Sequence, residues 1–168
     1  MKEKILFIIM CSLLLSCSNP SKSDDENNFA IYLLETDTLD YRDAVKIGLN
    51  IIDLEEKPMI SSTDIACYDP SEENFYLVNS FEINGLVKRR EILGPAGDVP
   101  FVLILKGERY FLGSHVGVAC SHMFAGPRLD YYSDATEGLS AFSISFSEED
   151  KYLEEDSEYR SILIYFSK

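Results

Sequence analysis

The fold is decided by one stretch in the second half of the chain, Pro100-Phe101-Val102-Leu103-Ile104-Leu105-Lys106-Gly107-Glu108-Arg109-Tyr110-Phe111-Leu112-Gly113. Gly107-Glu108 is typical of a type II′ turn, because glycine adopts without strain the positive φ that the first central position requires. The arm before this turn is apolar without interruption, and such a run predicts a strand that is covered on both faces. We therefore expect the two arms to form a hairpin at the centre of the sheet and of the core.

Shorter apolar segments on either side of this hairpin predict the other strands. Residues 69–74 are rich in turn formers and predict a loop between two of these segments. Serine alternates with apolar residues in the last segment, which predicts a strand with one face in water, whereas the polar residues 130–138 predict a loop. The segments are Phe29–Leu34, Ile65–Tyr68, Phe75–Val78 and Ala141–Phe146, with Leu86–Leu93 as a candidate edge strand.

Two segments have the apolar spacing of an amphipathic helix. The first follows a cap at Thr38 or Asp40, and the second follows a cap at Asp156 or Ser157. In the second segment Ile164 and Tyr165 would also allow a strand. The apolar positions of the helical pattern are Tyr41, Ala44, Val45 and Gly48 in the first segment, and Tyr159, Ile162, Leu163 and Phe166 in the second.

A third, shorter helical signal completes the expected elements. Ser61-x-x-Asp64 has the spacing of a capping box and predicts a single helical turn before the next strand. Residues 114–123 fit either a short helix or a loop. Together these elements predict an α+β domain, with a mostly antiparallel sheet of five to six strands and two to three short helices.

The N-terminus combines a basic start, a short apolar run and a small residue before a cysteine. Lys2 and Lys4 precede Ile5–Leu15, whose eleven residues match the apolar core of an export signal. A membrane span needs about 18 or more apolar residues, so this run is too short to cross a bilayer. Ser16 supplies the small residue that a signal peptidase requires before its cut, whereas the nearby Cys11 follows a bulky methionine.

The segment Leu14-Leu15-Ser16-Cys17 resembles the lipobox of bacterial lipoprotein signal peptides. The resemblance implies that residues 1–16 are removed and that Cys17 becomes the first residue of the mature chain, where it carries the acyl chains. Two or more acyl chains give an effectively permanent membrane attachment. Residues 17–28 are rich in serine, asparagine and charge, which predicts a disordered acidic tether. Residues 29–168 then form a single globular α+β domain.

This organisation predicts a protein of the bacterial outer membrane that faces either the periplasm or the cell surface. Ser18 differs from the aspartate that marks inner-membrane retention in some Gram-negative bacteria. The acidic cluster Asp24-Asp25-Glu26 resembles a signal for display on the cell surface, and a solvated spacer explains it equally well.

The chain is strongly acidic, with 15 basic and 29 acidic residues and a net charge of −14 at pH 7. Removal of residues 1–16 takes away two lysines and one glutamate, which leaves 13 basic and 28 acidic residues and a net charge of −15. Nucleic acids and anionic lipids need clustered lysine and arginine, so this balance argues against them as partners. The basic cluster Lys88-Arg89-Arg90 lies beside Glu91 and predicts a solvated strand or loop. The acidity itself indicates either solubility or a basic protein partner.

Two cysteines remain in the globular part of the chain, Cys67 and Cys120. An exported compartment permits a disulfide bond between them. The spacing does not show that their side chains meet, so two buried free thiols are the alternative.

Residue types that bind metals occur together at His115, Cys120 and His122. On a helix the two histidines would share a face about 10 Å apart along the axis, which is too far for one ion. On an extended segment Cys120 and His122 would point the same way, which supplies two ligands and no third. A Cys120–His122 nucleophile pair lacks a residue that the sequence places to orient the base.

Other chemistry-bearing residues do not form a recognised pattern either. Asp130, Asp134 and Glu137 lack the alternating order of a calcium-binding loop. The chain contains no glycine-rich phosphate loop and no G-x-S-x-G, H-E-x-x-H or C-x-x-C motif. We therefore predict no catalytic residue, no metal site and no cofactor. The candidates for an aromatic contact surface are Tyr110, Tyr131 and Tyr132.

Three segments together resemble a group of small, uncharacterised secreted or lipid-anchored bacterial proteins. They are Phe29-Ala30-Ile31-Tyr32-Leu33, Ile65-Ala66-Cys67-Tyr68, and Pro100-Phe101-Val102 with Gly107-Glu108-Arg109-Tyr110-Phe111-Leu112-Gly113. No activity is attached to that group, so the resemblance supports the fold and the export and implies no function.

We expect a non-enzymatic binding or accessory domain that a lipid attaches to the membrane, with a basic protein as the candidate partner. The first alternative is an acidic inhibitor or immunity-type protein that captures a basic enzyme. The second alternative is a metal-dependent enzyme built around His115, Cys120 and His122.

Overall fold

The computed structural model describes residues 29–78, 84–94, 97–116, 126–134 and 139–167. Within these residues the chain forms eight strands and four helices. The strands are β1 (Phe29–Leu33), β2 (Ile60–Ser61), β3 (Ile65–Asp69), β4 (Asn74–Leu77), β5 (Asp98–Leu105), β6 (Glu108–Val116), β7 (Arg128–Asp134) and β8 (Leu139–Ser145). The helices are α1 (Tyr41–Ile47), α2 (Asn84–Leu93), α3 (Lys151–Glu154) and α4 (Ser157–Phe166), and one 3₁₀ turn, Ser62–Asp64, joins β2 to β3.

The strands form one sheet in the order β2-β1-β5-β6-β7-β8-β4-β3. Every neighbouring pair is antiparallel except β6 and β7. The two edge strands, β2 and β3, are consecutive in the chain, and the sheet curls into a nearly closed barrel. The ring centroid of Phe29 on β1 lies 5.6 Å from that of Phe75 on β4. The α+β class and the mostly antiparallel sheet are confirmed. The predicted counts are wrong, because the described residues form eight strands rather than five to six and four helices rather than two to three.

The predicted central hairpin is confirmed. β5 pairs with β1 on one side and with β6 on the other. Phe101 and Leu103 belong to the main core, whereas Val102 between them belongs to a second apolar cluster. Because successive side chains of a strand point to opposite faces, both faces of β5 are covered, as its continuous apolar run predicts.

The turn of this hairpin differs from the prediction. Leu105 pairs with Glu108, so the two central residues are Lys106 and Gly107 rather than Gly107 and Glu108. Both have positive φ, 50° for Lys106 and 82° for Gly107. Positive φ at both positions is typical of a type I′ turn, whose twist matches that of the strands it joins. The type II′ assignment is therefore wrong, and the turn starts one residue earlier.

The main core fills the barrel and is rich in aromatic rings. Phe75 stacks on Phe142 with ring centroids 4.8 Å apart and an angle of 7° between the planes. Phe166 of α4 meets Phe29 edge to face at 6.0 Å. Helix α4 therefore contributes side chains to the main core of the barrel.

A second, smaller apolar cluster lies on the other face of β5. Leu34, Ala44 of α1 and Ile52 pack around Val102, and each of the four is at most 2% exposed. Full burial of a leucine, isoleucine or valine side chain contributes roughly 1.5–3 kcal/mol. This cluster attaches the segment between β1 and β2 to the outside of the barrel.

Helix α1 is confirmed, with a narrower apolar face than predicted. Asp40 caps it, because its carboxylate accepts a hydrogen bond from the Asp43 amide at 2.9 Å. Ala44 is fully buried, but Val45 is 52% exposed. Only the side of α1 that faces β5 is therefore part of the core.

The last helix and the predicted capping box are also confirmed. Asp156 caps α4 by accepting a hydrogen bond from the Glu158 amide at 2.8 Å. The Ser61 amide donates to the Asp64 carboxylate at 2.8 Å across the single 3₁₀ turn. The buried side chains of α4 are Tyr159, Ile162 and Phe166.

Leu86–Leu93 lies within helix α2, so the predicted edge strand is wrong. The lysine, arginines and glutamate of this segment favour a helix, and a strand would have placed charges on both of its faces. In the helix Leu86 and Arg89 lie about one turn apart, and both are buried. The helix ends at Gly94, whose φ is 83° and whose amide donates to the Arg90 carbonyl at 2.9 Å.

Residues 128–134 form strand β7, so the predicted loop over 130–138 is wrong in its first part. All seven residues of β7 pair with β8. Leu129 is fully buried and Tyr131 packs against the core, whereas Tyr132 is 63% exposed. The polar residues that suggested a loop belong to a strand with one face in water. Residues 135–138 lie outside the described residues.

Two short elements and one ambiguous segment complete the comparison with the prediction. β2 has only two residues and α3 only four, too few for a periodic sequence pattern. Residues 114–116 end β6, so the first part of the segment 114–123 is a strand. Residues 117–123 lie outside the described residues.

Candidate functional site

The predicted lipid attachment site, Cys17, lies outside the described residues, as do the signal peptide and the tether. In the part of the chain that the structure describes, no helix is long and apolar enough to cross a membrane. The signal peptide, the tether and the lipid anchor therefore stay predictions.

Only part of each predicted cysteine and histidine cluster falls within the described residues. Cys67 lies on β3 with its side chain exposed. Cys120 and His122 lie outside the described ranges, so the disulfide bond between Cys67 and Cys120 stays a prediction. His115 is the member of the metal-ligand cluster whose surroundings the structure shows.

The His115 side chain is half-buried between β6 and β7. Its Nδ1 lies 2.9 Å from the carbonyl oxygen of Leu129, and because a carbonyl only accepts hydrogen bonds, Nδ1 carries the proton. Burial lowers the pKa of His115, and the charges of Arg90 and Arg128 lower it further, against the opposing effects of the Leu129 carbonyl and Asp130. The neutral ring therefore packs in the fold and bonds the backbone of the next strand.

The carboxylates of Asp130, Asp134 and Glu137, considered above as calcium ligands, do not form a metal site in the described residues. Asp130 forms an ion pair with Arg128 at 2.6 Å. Asp134 ends β7, and Glu137 lies outside the described residues. Among the residues with a described position, no three His, Cys, Asp or Glu side chains come close enough together to hold a metal ion.

Tyr110, Tyr131 and Tyr132, which were the candidates for an aromatic contact surface, do not lie on a common surface. Tyr110 stacks on Tyr159 of α4, with ring centroids 6.4 Å apart, and its hydroxyl donates to the Leu153 carbonyl at 3.1 Å. Tyr131 packs against the main core, and Tyr132 is exposed. Tyr110 therefore helps to fix α3 and α4 to the barrel.

The basic cluster Lys88-Arg89-Arg90 contains a buried cation, so the prediction of a fully solvated segment is wrong. Arg89 is 4% exposed. Its guanidinium donates to the carbonyls of Leu34 and Thr36 and to the carboxylate of Glu55, the last at 2.6 Å. The position of Arg89 about one helical turn from Leu86 is the sequence signal that could have identified it as buried.

A second arginine, on strand β6 of the barrel, also binds the segment between β1 and β2. Arg109 of β6 donates to the carbonyls of Leu49 and Ile52, each at 2.7 Å. These carbonyls lie in an irregular stretch that follows α1, where no helix or strand supplies their hydrogen bonds. Arg89 and Arg109 together fix the segment between β1 and β2.

Two exposed segments form what we call the acidic face. One is the turn between β3 and β4, and the other runs through α3 into the first turn of α4. The second segment contains one lysine, Lys151, among its carboxylates. The carboxylates are Asp69, Glu72 and Glu73 in the turn, and Glu148, Glu149, Asp150, Glu154, Glu155, Asp156 and Glu158 in the second segment.

The two segments come from parts of the chain that pack together, because α4, in which the second segment ends, contacts β3, which the turn follows. Burial raises the pKa of Tyr68, and the negative charges of Glu73, Glu154 and Asp69 raise it further. Burial also raises the pKa of Tyr159, to which Glu154 and Glu73 again contribute. Glu73 and Glu154, one from each segment, therefore act on the same pair of rings.

An exposed aromatic side chain lies within this surface. Tyr152 of α3 is 68% exposed and has carboxylates before and after it in the chain. The face of an aromatic ring attracts a lysine or arginine cation, and nearby carboxylates add to that attraction. The acidic face therefore offers a cationic partner both charge and an aromatic contact.

A cleft of about 160 Å³ lies beside α4, where β1 begins. The rings of Phe29 and Phe166 line it, together with the exposed side chains of Lys106 and Tyr165. Sequence reasoning did not find this cleft, because Phe29 and α4 come from opposite ends of the described chain and no local pattern connects them.

Comparisons with protein family models, with curated proteins and with solved structures found no match to this chain. The functional interpretation therefore depends on the sequence patterns and on the geometry of the acidic face and the cleft.

Proposed function

We propose that this chain is a lipid-anchored, non-enzymatic binding domain of the bacterial outer membrane, and that its acidic face binds a basic protein. The observation that carries the proposal is the exposed side chain of Tyr152 within the carboxylate-rich segment that runs through α3 into α4. A net charge of −15 after signal removal would steer a basic partner toward the domain. Nucleic acid is not a partner in this proposal, and no cofactor takes part.

Membrane attachment in this proposal depends on Cys17. A lipobox cysteine carries two or three acyl chains, and burial of each CH₂ group contributes about 0.8 kcal/mol. The Cys17→Ser variant is therefore expected in the soluble fraction, whereas the unchanged chain pellets with membranes. Recovery of the variant in the membrane pellet would contradict the anchor.

The partner-binding role can be tested by photo-cross-linking at the acidic face in intact cells. A photoreactive phenylalanine analogue replaces Tyr152, and in a matched control it replaces Tyr132, an exposed tyrosine of β7 with similar accessibility, 63% against 68%. We expect a defined cross-linked product from position 152 that is lost when the salt concentration rises, because screening weakens interactions between exposed charges. Equal products at both positions, or none at position 152, would contradict the role of this face.

Charge-matched variants separate the acidic face from the overall charge. One variant carries Glu148→Gln, Glu149→Gln and Glu155→Gln, and its control carries Glu35→Gln, Asp53→Asn and Glu56→Gln, all at exposed positions. Both remove three negative charges from the chain. The first variant is expected to lose the cross-linked partner and the control to keep it.

The same surface supports a second candidate function, an inhibitor or immunity-type protein that captures a basic enzyme. The observation that favours it is again Tyr152 among carboxylates, since tyrosine is enriched among the residues that dominate binding energy. In that case the cross-linked partner is an enzyme whose activity falls when the domain binds. A partner that has no activity to inhibit would favour the accessory function.

The side of the outer membrane that the domain faces is open in both functions. Protease treatment of intact cells, with lysed cells as the control, distinguishes the cell surface from the periplasm. Loss of the domain from intact cells indicates surface display, and protection indicates the periplasm.

A further inference from the structure

The cleft beside α4 lies where the proposed tether joins the globular domain. Phe29 is the first residue of β1 and also lines the cleft. Eleven residues separate Phe29 from Cys17. A chain of that length spans at most about 40 Å when fully extended, and a flexible chain averages roughly 20 Å. The side of the domain that carries Phe29 is therefore the side that the anchor holds nearest to the bilayer.

Two large apolar side chains are exposed in the last two turns of α4, and one of them, Tyr165, lines the cleft together with the polar Ser62 and Ser161. Ile164 is 61% exposed and Tyr165 is 49% exposed. Tyrosine favours the membrane interface, because its ring contacts apolar groups while its hydroxyl stays hydrated. These two side chains are adjacent in the chain, and Tyr165 lines the cleft together with Phe29.

The cleft is also lined by a cationic side chain, Lys106. Lys106, at the tip of the β5–β6 hairpin, lines the cleft and lies 3.3 Å from the Glu158 carboxylate. Its side chain is half exposed, and a lysine of this kind can extend its ammonium to a lipid phosphate while its aliphatic stem covers apolar surface. The surface thus presents apolar groups for the acyl region and a cation for the headgroup.

We propose that the surface formed by the cleft, Lys106, Ile164 and Tyr165 rests on the lipid bilayer and orients the anchored domain. The inference depends on the proposed function, because the tether supplies the high local concentration that lets a small apolar contact bind. The occupant is a bilayer of zwitterionic lipid, since the net negative charge of the domain opposes anionic lipid. The domain would then be held in one orientation on the membrane, with the acidic face, apart from Glu158, free for a partner.

The chain contains no tryptophan, so one introduced tryptophan reports on its own surroundings. The Tyr165→Trp protein is purified in its lipid-anchored form and reconstituted into phosphatidylcholine vesicles whose acyl chains carry bromine, a contact quencher. The matched control is Tyr152→Trp, an exposed aromatic position on the acidic face. We expect at least twofold quenching and a blue-shifted emission at position 165, and neither at position 152. Ile164→Trp is a second reporter in case the first variant fails to fold.

The outcomes distinguish this inference from the proposed function. If the protein sediments with the vesicles and tryptophan at positions 164 and 165 is quenched no more than at position 152, the membrane-facing surface is wrong while the anchor stands. If the unchanged chain does not sediment with the vesicles, both the anchor and the orientation are wrong. Quenching at positions 164 and 165 that persists in vesicle-bound protein at high salt would support an apolar contact.

Discussion

The two arginines that fix the segment between β1 and β2 differ in how their charge is satisfied. Arg89 is 4% exposed and donates to two backbone carbonyls and to the carboxylate of Glu55. Arg109 is half-buried, and within the part of the chain that the structure describes its hydrogen bonds go to two backbone carbonyls. A charge that leaves water completely needs an opposite charge as well as hydrogen bonds, whereas a charge that still reaches water does not. Burial therefore explains why one arginine has a carboxylate partner and the other has none in these contacts.

Both arginines act on carbonyl groups that no regular element satisfies. An unpaired buried carbonyl is costly, so an irregular segment packed on a barrel needs donors from outside itself. Arg89 supplies donors near the two ends of the segment, and Arg109 supplies them in its middle. The comparison predicts that the two arginines contribute unequally to stability.

The largest effect is expected for Arg89→Ala. This substitution leaves the Leu34 and Thr36 carbonyls and the Glu55 carboxylate without their donor, and loss of one member of a buried ion pair costs about 3–5 kcal/mol. Because Glu55 is 42% exposed, we expect the lower end, about 3 kcal/mol, in the free energy of unfolding measured with urea. Lys88→Ala, at an exposed position of the same helix, is the control and should change stability by less than about 0.5 kcal/mol. A loss below about 1 kcal/mol for Arg89→Ala would contradict a structural role for this cation.

A smaller effect is expected for Arg109→Ala. Water can reach the half-buried site and replace part of the hydrogen bonding to Leu49 and Ile52, so we expect a loss of about 1–2 kcal/mol. Hydrogen exchange should accelerate in residues 49–54 before it accelerates in the barrel, because this segment loses its attachment. The exposed Arg42→Ala on α1 is the control. A loss equal to that of Arg89→Ala would show that burial does not explain the difference between the two arginines.

The part of the fold that the sequence predicts is the part that local spacing determines. The β5–β6 hairpin, the Asp40 and Asp156 caps and the buried stripe of α4 each depend on residues that lie within one short segment. Helix α2 was not predicted because Arg89 occupies its buried stripe. The two carbonyls that accept hydrogen bonds from Arg89 lie more than fifty positions earlier in the chain, and its carboxylate partner Glu55 lies 34 positions earlier. The closure of the barrel likewise depends on pairing between strands that are distant in the chain, such as β4 and β8.

The features of the candidate site that sequence predicts are likewise those that composition or one short segment determines. Composition alone indicates an acidic surface, and the lipobox resemblance alone indicates Cys17 as the lipid attachment residue. Composition does not indicate that α4 packs against β3, because the nearly closed sheet brings those distant parts of the chain together. The cleft between Phe29 and α4 is a product of the same closure, so no local pattern predicts it.

A third basic side chain extends the comparison, because histidine can lose its charge where arginine cannot. Burial lowers the pKa of His115 below its usual value of 6.5, so the unfolded chain binds a proton at a higher pH than the folded chain does. The contribution of His115 to stability is therefore complete above pH 6.5 and is lost as the pH falls toward the folded-state pKa. The arginines stay charged over this range and give no such slope.

The smallest of the three effects is therefore expected for His115→Gln, and only at acidic pH. Glutamine can still donate a hydrogen bond to the Leu129 carbonyl, but it does not titrate. Urea unfolding between about pH 7 and about pH 5 should show a steeper loss of stability for the unchanged chain than for the variant. The many carboxylates titrate equally in both proteins, so their contribution cancels in the difference. Equal slopes of the free energy of unfolding against pH would contradict the lowered pKa of His115. A steeper slope for the variant would mean that the folded state stabilises the charged imidazole ring, as it stabilises the charged side chains of the two arginines.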